Sequence, residues 1–144
     1  MKKQYLMYPA HGIVEVLRTD IKYRGRTVEF TVLKVLDSDM VVMLPSEDLS
    51  KHTRQLVNKT EAKYIRSYLN NIVEKDDDRA TWNRRYREYM ETIRSGDLRE
   101  ISKVYNILKN SNKNLSFGER KIKDYVKQTL ETELSIVLNA EVVL

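Results

Sequence analysis

Trp82 is the only tryptophan in the chain, and it stands in Thr81-Trp82-Asn83-Arg84-Arg85-Tyr86-Arg87, where one large aromatic precedes three arginines at the apparent start of a helix. A flat apolar ring beside several cations can lodge as a wedge in a nucleic acid while the phosphates are held alongside. The same ring also suits a core, or a seam between two domains, because tryptophan is highly buried on average. Arg84 and Arg87 lie three apart and can share a helix face, whereas Arg85 projects away from them. The helix dipole disfavours cations in the first turns, so helix stability does not ask for these arginines. Arg120, Lys121 and Lys123 crowd a second helix start in the same way. Two basic helix starts are what a backbone clamp around a wedge would use.

Other chemistry finds little support. The chain has no cysteine, which removes disulfides, thiolate nucleophiles and Cys-based zinc sites together. Its two histidines, His11 and His52, have no partner set that spacing would define; His11 in Pro9-Ala10-His11-Gly12 reads as a turn residue. Asp76-Asp77-Asp78 offers carboxylates of the kind a Mg²⁺-dependent nuclease uses, yet consecutive carboxylates in a linker diverge and read as solvated charge. There is no Gly-rich phosphate loop and no Gly-x-Ser-x-Gly elbow. The expectation is a protein that is not an enzyme, with no catalytic residues, no metal and no cofactor.

The charge distribution supports a polyanion partner. The 144 residues carry a net charge of +5, with 33% charged and 41% hydrophobic residues. From Arg79 to Lys127 there are 13 basic residues against 6 acidic, whereas the preceding 78 residues are nearly balanced and the last 17 are acidic. A solvated helix surface is usually of mixed sign, so this local excess favours a nucleic acid. No segment approaches the roughly 20 apolar residues of a membrane span, and the lack of cysteine fits a reducing cytoplasm. A soluble cytoplasmic protein without a membrane role is expected.

Two kinds of periodicity must position these residues. Tyr5–Tyr8, Ile13–Leu17, Val28–Val35 and Met40–Leu44 read as short antiparallel strands, with a possible fifth in Leu49 to Val57. Tyr23-Arg24-Gly25-Arg26 supplies a hairpin turn, and Pro45 ends the fourth strand. Strands this short suggest a small SH3-like or Tudor-like barrel. After Asn58 the spacing becomes helical. Thr60 can cap a helix with Tyr64, Ile65, Tyr68, Leu69, Ile72 and Val73 as its stripe, and Lys75 to Asp78 form a linker. Thr81 caps a second helix with Tyr86, Tyr89, Met90 and Ile93; Ser95-Gly96-Asp97 closes it and opens a third. Ser116-Phe117-Gly118-Glu119 is a capping box that starts a fourth, long helix. The expected fold is α+β: a β-barrel over residues 1–58, then an all-α domain over 59–144.

Taken in order, Tyr8-Pro9-Ala10-His11-Gly12, Val32-Leu33-Lys34-Val35, Leu44-Pro45, Trp82-Asn83-Arg84-Arg85-Tyr86-Arg87, Ser95-Gly96-Asp97 and Leu115-Ser116-Phe117-Gly118-Glu119-Arg120 resemble the CarD/CdnL family of bacterial RNA-polymerase-binding transcription regulators. The resemblance runs over nearly the whole chain. It implies a barrel that binds the β-subunit lobe of RNA polymerase by edge-strand pairing, and a helical domain that reaches promoter DNA at the upstream edge of the bubble. It places Trp82 on the family's wedge tryptophan and puts Arg84, Arg87 and Arg120 on or beside basic positions that contact the DNA backbone, with Arg85 and Lys121 as neighbours in the same two segments. Where better-known members carry polymerase-contacting arginines, this chain has Ile21 and Met43, with Lys22 adjacent to the first. A monomer, associated with the nucleoid through polymerase, is the corresponding expectation. A general nucleic-acid-binding protein acting without polymerase is the alternative reading, and a nuclease using Asp76 to Asp78 a more distant one.

Overall fold

A computed structural model describes residues 3–9, 11–22, 25, 27–75, 81–111 and 114–144. The chain divides into two compact units, Met1–Leu56 and Val57–Leu144. The acidic run Asp76-Asp77-Asp78 and most of the Tyr23–Arg26 turn lie outside the described residues.

The first unit is an antiparallel sheet of five strands, β1 (Tyr5–Tyr8), β2 (Gly12–Lys22), β3 (Glu29–Val35), β4 (Val41–Pro45) and β5 (Arg54–Gln55), in the order β4-β3-β2-β1-β5. The α+β class is as expected, but the sheet is open and not a closed barrel. The reason lies in Leu49–His52, expected within a fifth strand, which forms a single helical turn, α1, after a 3-10 turn at Ser46–Asp48. Only Arg54 and Gln55 remain to pair with β1, too short a ladder to close back on β4. β2 outruns its expected end at Leu17 because two irregularities, between Val16 and Arg18 and between Arg18 and Ile21, bend it without ending it. Asp20 takes the left-handed conformation at the second of these, with φ 56°.

Strict alternation in β3 sets the faces of the sheet. Thr31, Leu33 and Val35 are buried, while Phe30, Val32 and Lys34 are half-buried on the opposite side. Leu33 and Val35 join Leu6 and Val14 in a core that Tyr8, Val16, Val42, Leu44 and Leu49 cover. Buried Thr31 satisfies its hydroxyl on Ser46 Oγ at 2.9 Å.

The second unit holds α2 (Lys59–Asn71), α3 (Trp82–Ser95), α4 (Leu98–Lys109) and α5 (Phe117–Leu138). α2 is capped by Asn58, whose side chain accepts the Glu61 N–H at 2.8 Å, and not by Thr60. Asn ranks above Thr at this position, and the earlier cap lets the helix begin ahead of Thr60. Its apolar stripe is narrower than the spacing predicts. Ala62 and Ile65 are buried, Tyr64 is exposed, and Ile72 and Val73 lie exposed beyond the helix end.

α4 follows its pattern closely, burying Leu98, Ile101, Val104, Tyr105 and Leu108. α5 buries Ile122, Val126, Leu130 and Leu134, one per turn. Between α3 and α4, Gly96 takes φ 69° and Asp97 accepts the N–H groups of Arg99 and Glu100. No described helix is long and apolar enough to cross a membrane.

Polar side chains tie these helices together. Arg99 donates from Nε and Nη2 to the two carboxylate oxygens of Glu61 and lies 4.2 Å over the Tyr64 ring, joining α4 to α2. The hydrogen bond from Arg99 and its positive charge hold the Glu61 carboxyl below the usual carboxylate range, against an opposing effect of burial. Buried Asn106 donates to the Ile72 carbonyl at 2.8 Å and accepts the Glu74 N–H at 3.2 Å, so α4 fixes the chain as it leaves α2. Buried Glu133 of α5 accepts the Val57 N–H at 2.8 Å and fixes the approach to α2.

Candidate nucleic-acid interface

Trp82 is the first residue of α3, placed there by the Thr81 cap, whose hydroxyl accepts the Arg84 N–H at 3.3 Å. Its indole is half-buried and fits neither a core nor a fully free wedge. The Tyr86 ring lies 5.6 Å away at 55°, one turn along the same helix. On another side the indole rests against α5: a β-carbon on Gly118 would come within 3.1 Å of Trp82 Cζ2 and 3.6 Å of Cη2. The absence of a side chain at Gly118 therefore lets the start of α5 approach the start of α3 at the Cζ2 and Cη2 atoms of the indole.

This contact joins the two basic helix starts. Arg84, Arg87, Arg120 and Lys121 are exposed. Arg84 Nε is 3.1 Å from Glu88 Oε1, an exposed pair one turn apart that orders the guanidinium along the helix at little energetic gain. Arg85 departs from the group: it is half-buried, with its Nε enclosed. The helix geometry that puts Arg84 and Arg87 on one face turns Arg85 toward the interior. Lys123, on α5, is half-buried as well. The amino ends of two helices meeting at one aromatic ring add their partial positive charge to that of the exposed cations. Such an arrangement attracts phosphate without reading base edges.

Two further aromatic residues here, outside the expected site, are exposed. Tyr86 falls within the expected apolar stripe of its helix but is 45% exposed. Phe117, first residue of α5, is 67% exposed, and the Lys121 ammonium lies 4.5 Å from its ring centroid. The spacing does carry a signal for Phe117: it falls off the face defined by Ile122, Val126 and Leu130, so the helix does not bury it.

Ile21 and Met43, and Lys22 beside the first, the residues expected at the polymerase, fall on the sheet. Met43 lies on β4, which pairs with β3 on one side and with no strand on the other among the described residues. Val35 N–H bonds the Met40 carbonyl at 2.8 Å, and ladder bonds alternate from that pair. Val42 and Leu44 thus face β3, while Val41 and Met43 turn their N–H and C=O groups to the open edge. Cross-strand pairing sets Met43 beside Val32 and Arg18, and in the next row Pro45 beside Phe30 and Ile21. Ile21 and Met43 consequently share the outer face of the sheet, two strands apart. Lys22 pairs with Glu29 on the opposite face.

Among the described residues no group of three or more His, Asp or Glu side chains is placed to hold a metal ion. Residues 65–142 match the family model CarD, C-terminal domain. The chain is also 26% identical over 137 residues to a Bacillus subtilis (strain 168) protein named Putative transcription factor YdeB, covering 92% of this chain and 88% of that protein. The matched helical segment takes in more than half of the chain and contains Trp82, Gly118 and both basic helix starts. On that match, the chain belongs to the CarD/CdnL family.

Proposed function

We propose that this chain is a transcription regulator that binds RNA polymerase through the open edge of β4 and steadies melted promoter DNA with Trp82 and the basic starts of α3 and α5. The observation that carries the reading is the seat of Trp82. Its indole is partly exposed and touches Gly118 and Tyr86, and it lies where the helix start that carries exposed Arg84 and Arg87 meets the one that carries exposed Arg120 and Lys121. A ring fixed from behind and open in front can enter a minor groove as a wedge, while the cations hold the flanking phosphates. The contact is too small for sequence-specific binding, so the address must come from a partner. The β4 edge supports that role, because Val41 and Met43 present unpaired backbone groups next to apolar side chains of the outer face, the form a β-lobe strand would extend. Tethering to polymerase raises the effective concentration of the helical unit at the promoter, so weak DNA affinity suffices.

A photo-crosslinking residue at exposed Asn83 tests this without removing Trp82. With polymerase holoenzyme and a promoter, it labels DNA at the upstream edge of the bubble. Equal labelling without polymerase, or labelling dispersed along the duplex, contradicts the proposal.

A further inference from the structure

Phe117 is left unused by the contact just described, and the fold does not explain it. The cap of α5 is complete without it: Ser116 Oγ accepts the Glu119 N–H at 3.2 Å, and Glu119 Oε1 accepts the Ser116 N–H at 3.1 Å. The buried face of α5 runs through Ile122, Val126 and Leu130, and Phe117 is not on it. A phenyl ring left 67% exposed gains little from burial. It is nonetheless held in place, since Lys121, one turn on, lays its ammonium 4.5 Å from the ring centroid. The next residue, Gly118, carries the Trp82 indole. Two successive residues of α5 therefore meet two aromatic functions, one backing a half-buried wedge and one presenting an open ring.

We infer that Phe117 is a stacking platform for an unpaired nucleobase on the single strand that leaves the duplex at Trp82, with Lys121 steadying the ring and meeting the adjacent phosphate. The inference rests on the proposed DNA contact and adds a single-strand subsite to it. Bases within a duplex are stacked on both faces, so an exposed ring gains little from them. An unpaired base has a free face, and stacking on an aromatic ring beside a cation is how single strands are commonly held. The charge agrees: exposed Lys121 lies against the ring and exposed Arg120 precedes it, within a segment carrying 13 basic residues against 6 acidic.

The test uses the full chain and fluorescence anisotropy at low salt with three end-labelled DNAs: a short duplex, an oligothymidylate, and a fork joining the two. The wild-type chain binds the fork more tightly than the duplex. Phe117→Ala weakens binding to the fork and the single strand by about tenfold and leaves the duplex unchanged, as expected for one stacked base. Phe117→Tyr keeps the preference, while Phe117→Leu, apolar but not aromatic, loses it. Unchanged fork binding in Phe117→Ala, or equal loss on all three DNAs, overturns the platform and leaves the duplex contact standing. Failure of the wild-type chain to bind the fork more tightly than the duplex overturns the platform as well.

Discussion

The indole of Trp82 and the backbone of Gly118 are in contact so close that a single added methyl group would sit 3.1 Å from the ring. One glycine thus lets the start of α5 serve as the rear support of an aromatic residue on α3. Gly118→Ala tests the relationship. Alanine favours the helix by up to about 1 kcal/mol, which offsets the cost of displacing the ring, so thermal stability changes little. Trp82, the sole tryptophan, reports the displacement through a shifted emission maximum, and DNA binding weakens. Unaltered emission and unaltered binding together would show that the ring does not depend on this support.

Half-burial of Trp82 sets an intermediate cost for its removal. A fully buried aromatic truncated to alanine costs about 3–5 kcal/mol. With its indole only partly covered by Tyr86 and Gly118, Trp82→Ala should cost about 1–2 kcal/mol, less than half of the fully buried cost. Urea unfolding provides the check. A loss of about 4 kcal/mol, the middle of the core range, would return Trp82 to the role of a core residue.

Much of this local arrangement is legible in the residues, because it depends on neighbours in sequence. Thr81, Gly96, Asp97 and the Ser116–Glu119 capping box act over three or four residues and take the positions their types imply. Asn58 against Thr60 is harder, since both side chains can cap and they stand close together in sequence. The open sheet is not legible: Leu49-Ser50-Lys51-His52 has neither alternation nor a helical stripe to decide its state, and its helical turn is what leaves β5 short. The inward turn of Arg85 follows from helical spacing, yet which face of α3 is inward depends on the packing of Tyr89 and Ile93. The meeting of two basic helix starts at Trp82 is a tertiary fact that no local pattern contains.

Strand β4 offers a paired test in which one substitution spares the sheet. Met43 N–H points to the open edge, so Met43→Pro removes a docking donor without breaking the ladder to β3. Val42→Pro breaks that ladder and leaves the carbonyl of fully buried Leu33 unpaired, at about 1–3 kcal/mol. Met43→Pro should keep most of the thermal stability and lose retention on immobilised core polymerase. Full retention by a folded Met43→Pro chain would place docking elsewhere.

Salt dependence measures how many phosphates the cations neutralise. Replacing Arg84 and Arg120 together with alanine should reduce the slope of log affinity against log salt by about one for each phosphate that is no longer neutralised. The slope is read from duplex titrations at several salt concentrations. An unchanged slope would place both residues away from the phosphates.

Alkaline pH should loosen the second unit. Burial, and then the Glu74 carboxylate that accepts its hydroxyl proton at 3.0 Å, push Tyr68 up to about 12. Because the folded value is raised, its contribution is fully present below the unfolded value near 10 and is lost as pH rises through about 12. Burial raises Tyr105 in the same direction. Urea midpoints for Tyr68→Phe should fall less steeply than wild type between pH 10 and 12. Parallel curves would show that Tyr68 does not contribute.

The half-life of the open promoter complex tests the wedge role of Trp82 most directly. It is measured with polymerase holoenzyme and saturating wild-type chain, and again with Trp82→Ala at a concentration that restores full polymerase occupancy. Opening a base step costs a few kcal/mol, and losing a group that offsets about 1.4 kcal/mol of it changes a lifetime by about tenfold. The predicted result is a half-life shortened by up to that factor while polymerase binding is unchanged. An equal half-life with a folded, polymerase-bound Trp82→Ala chain would contradict it.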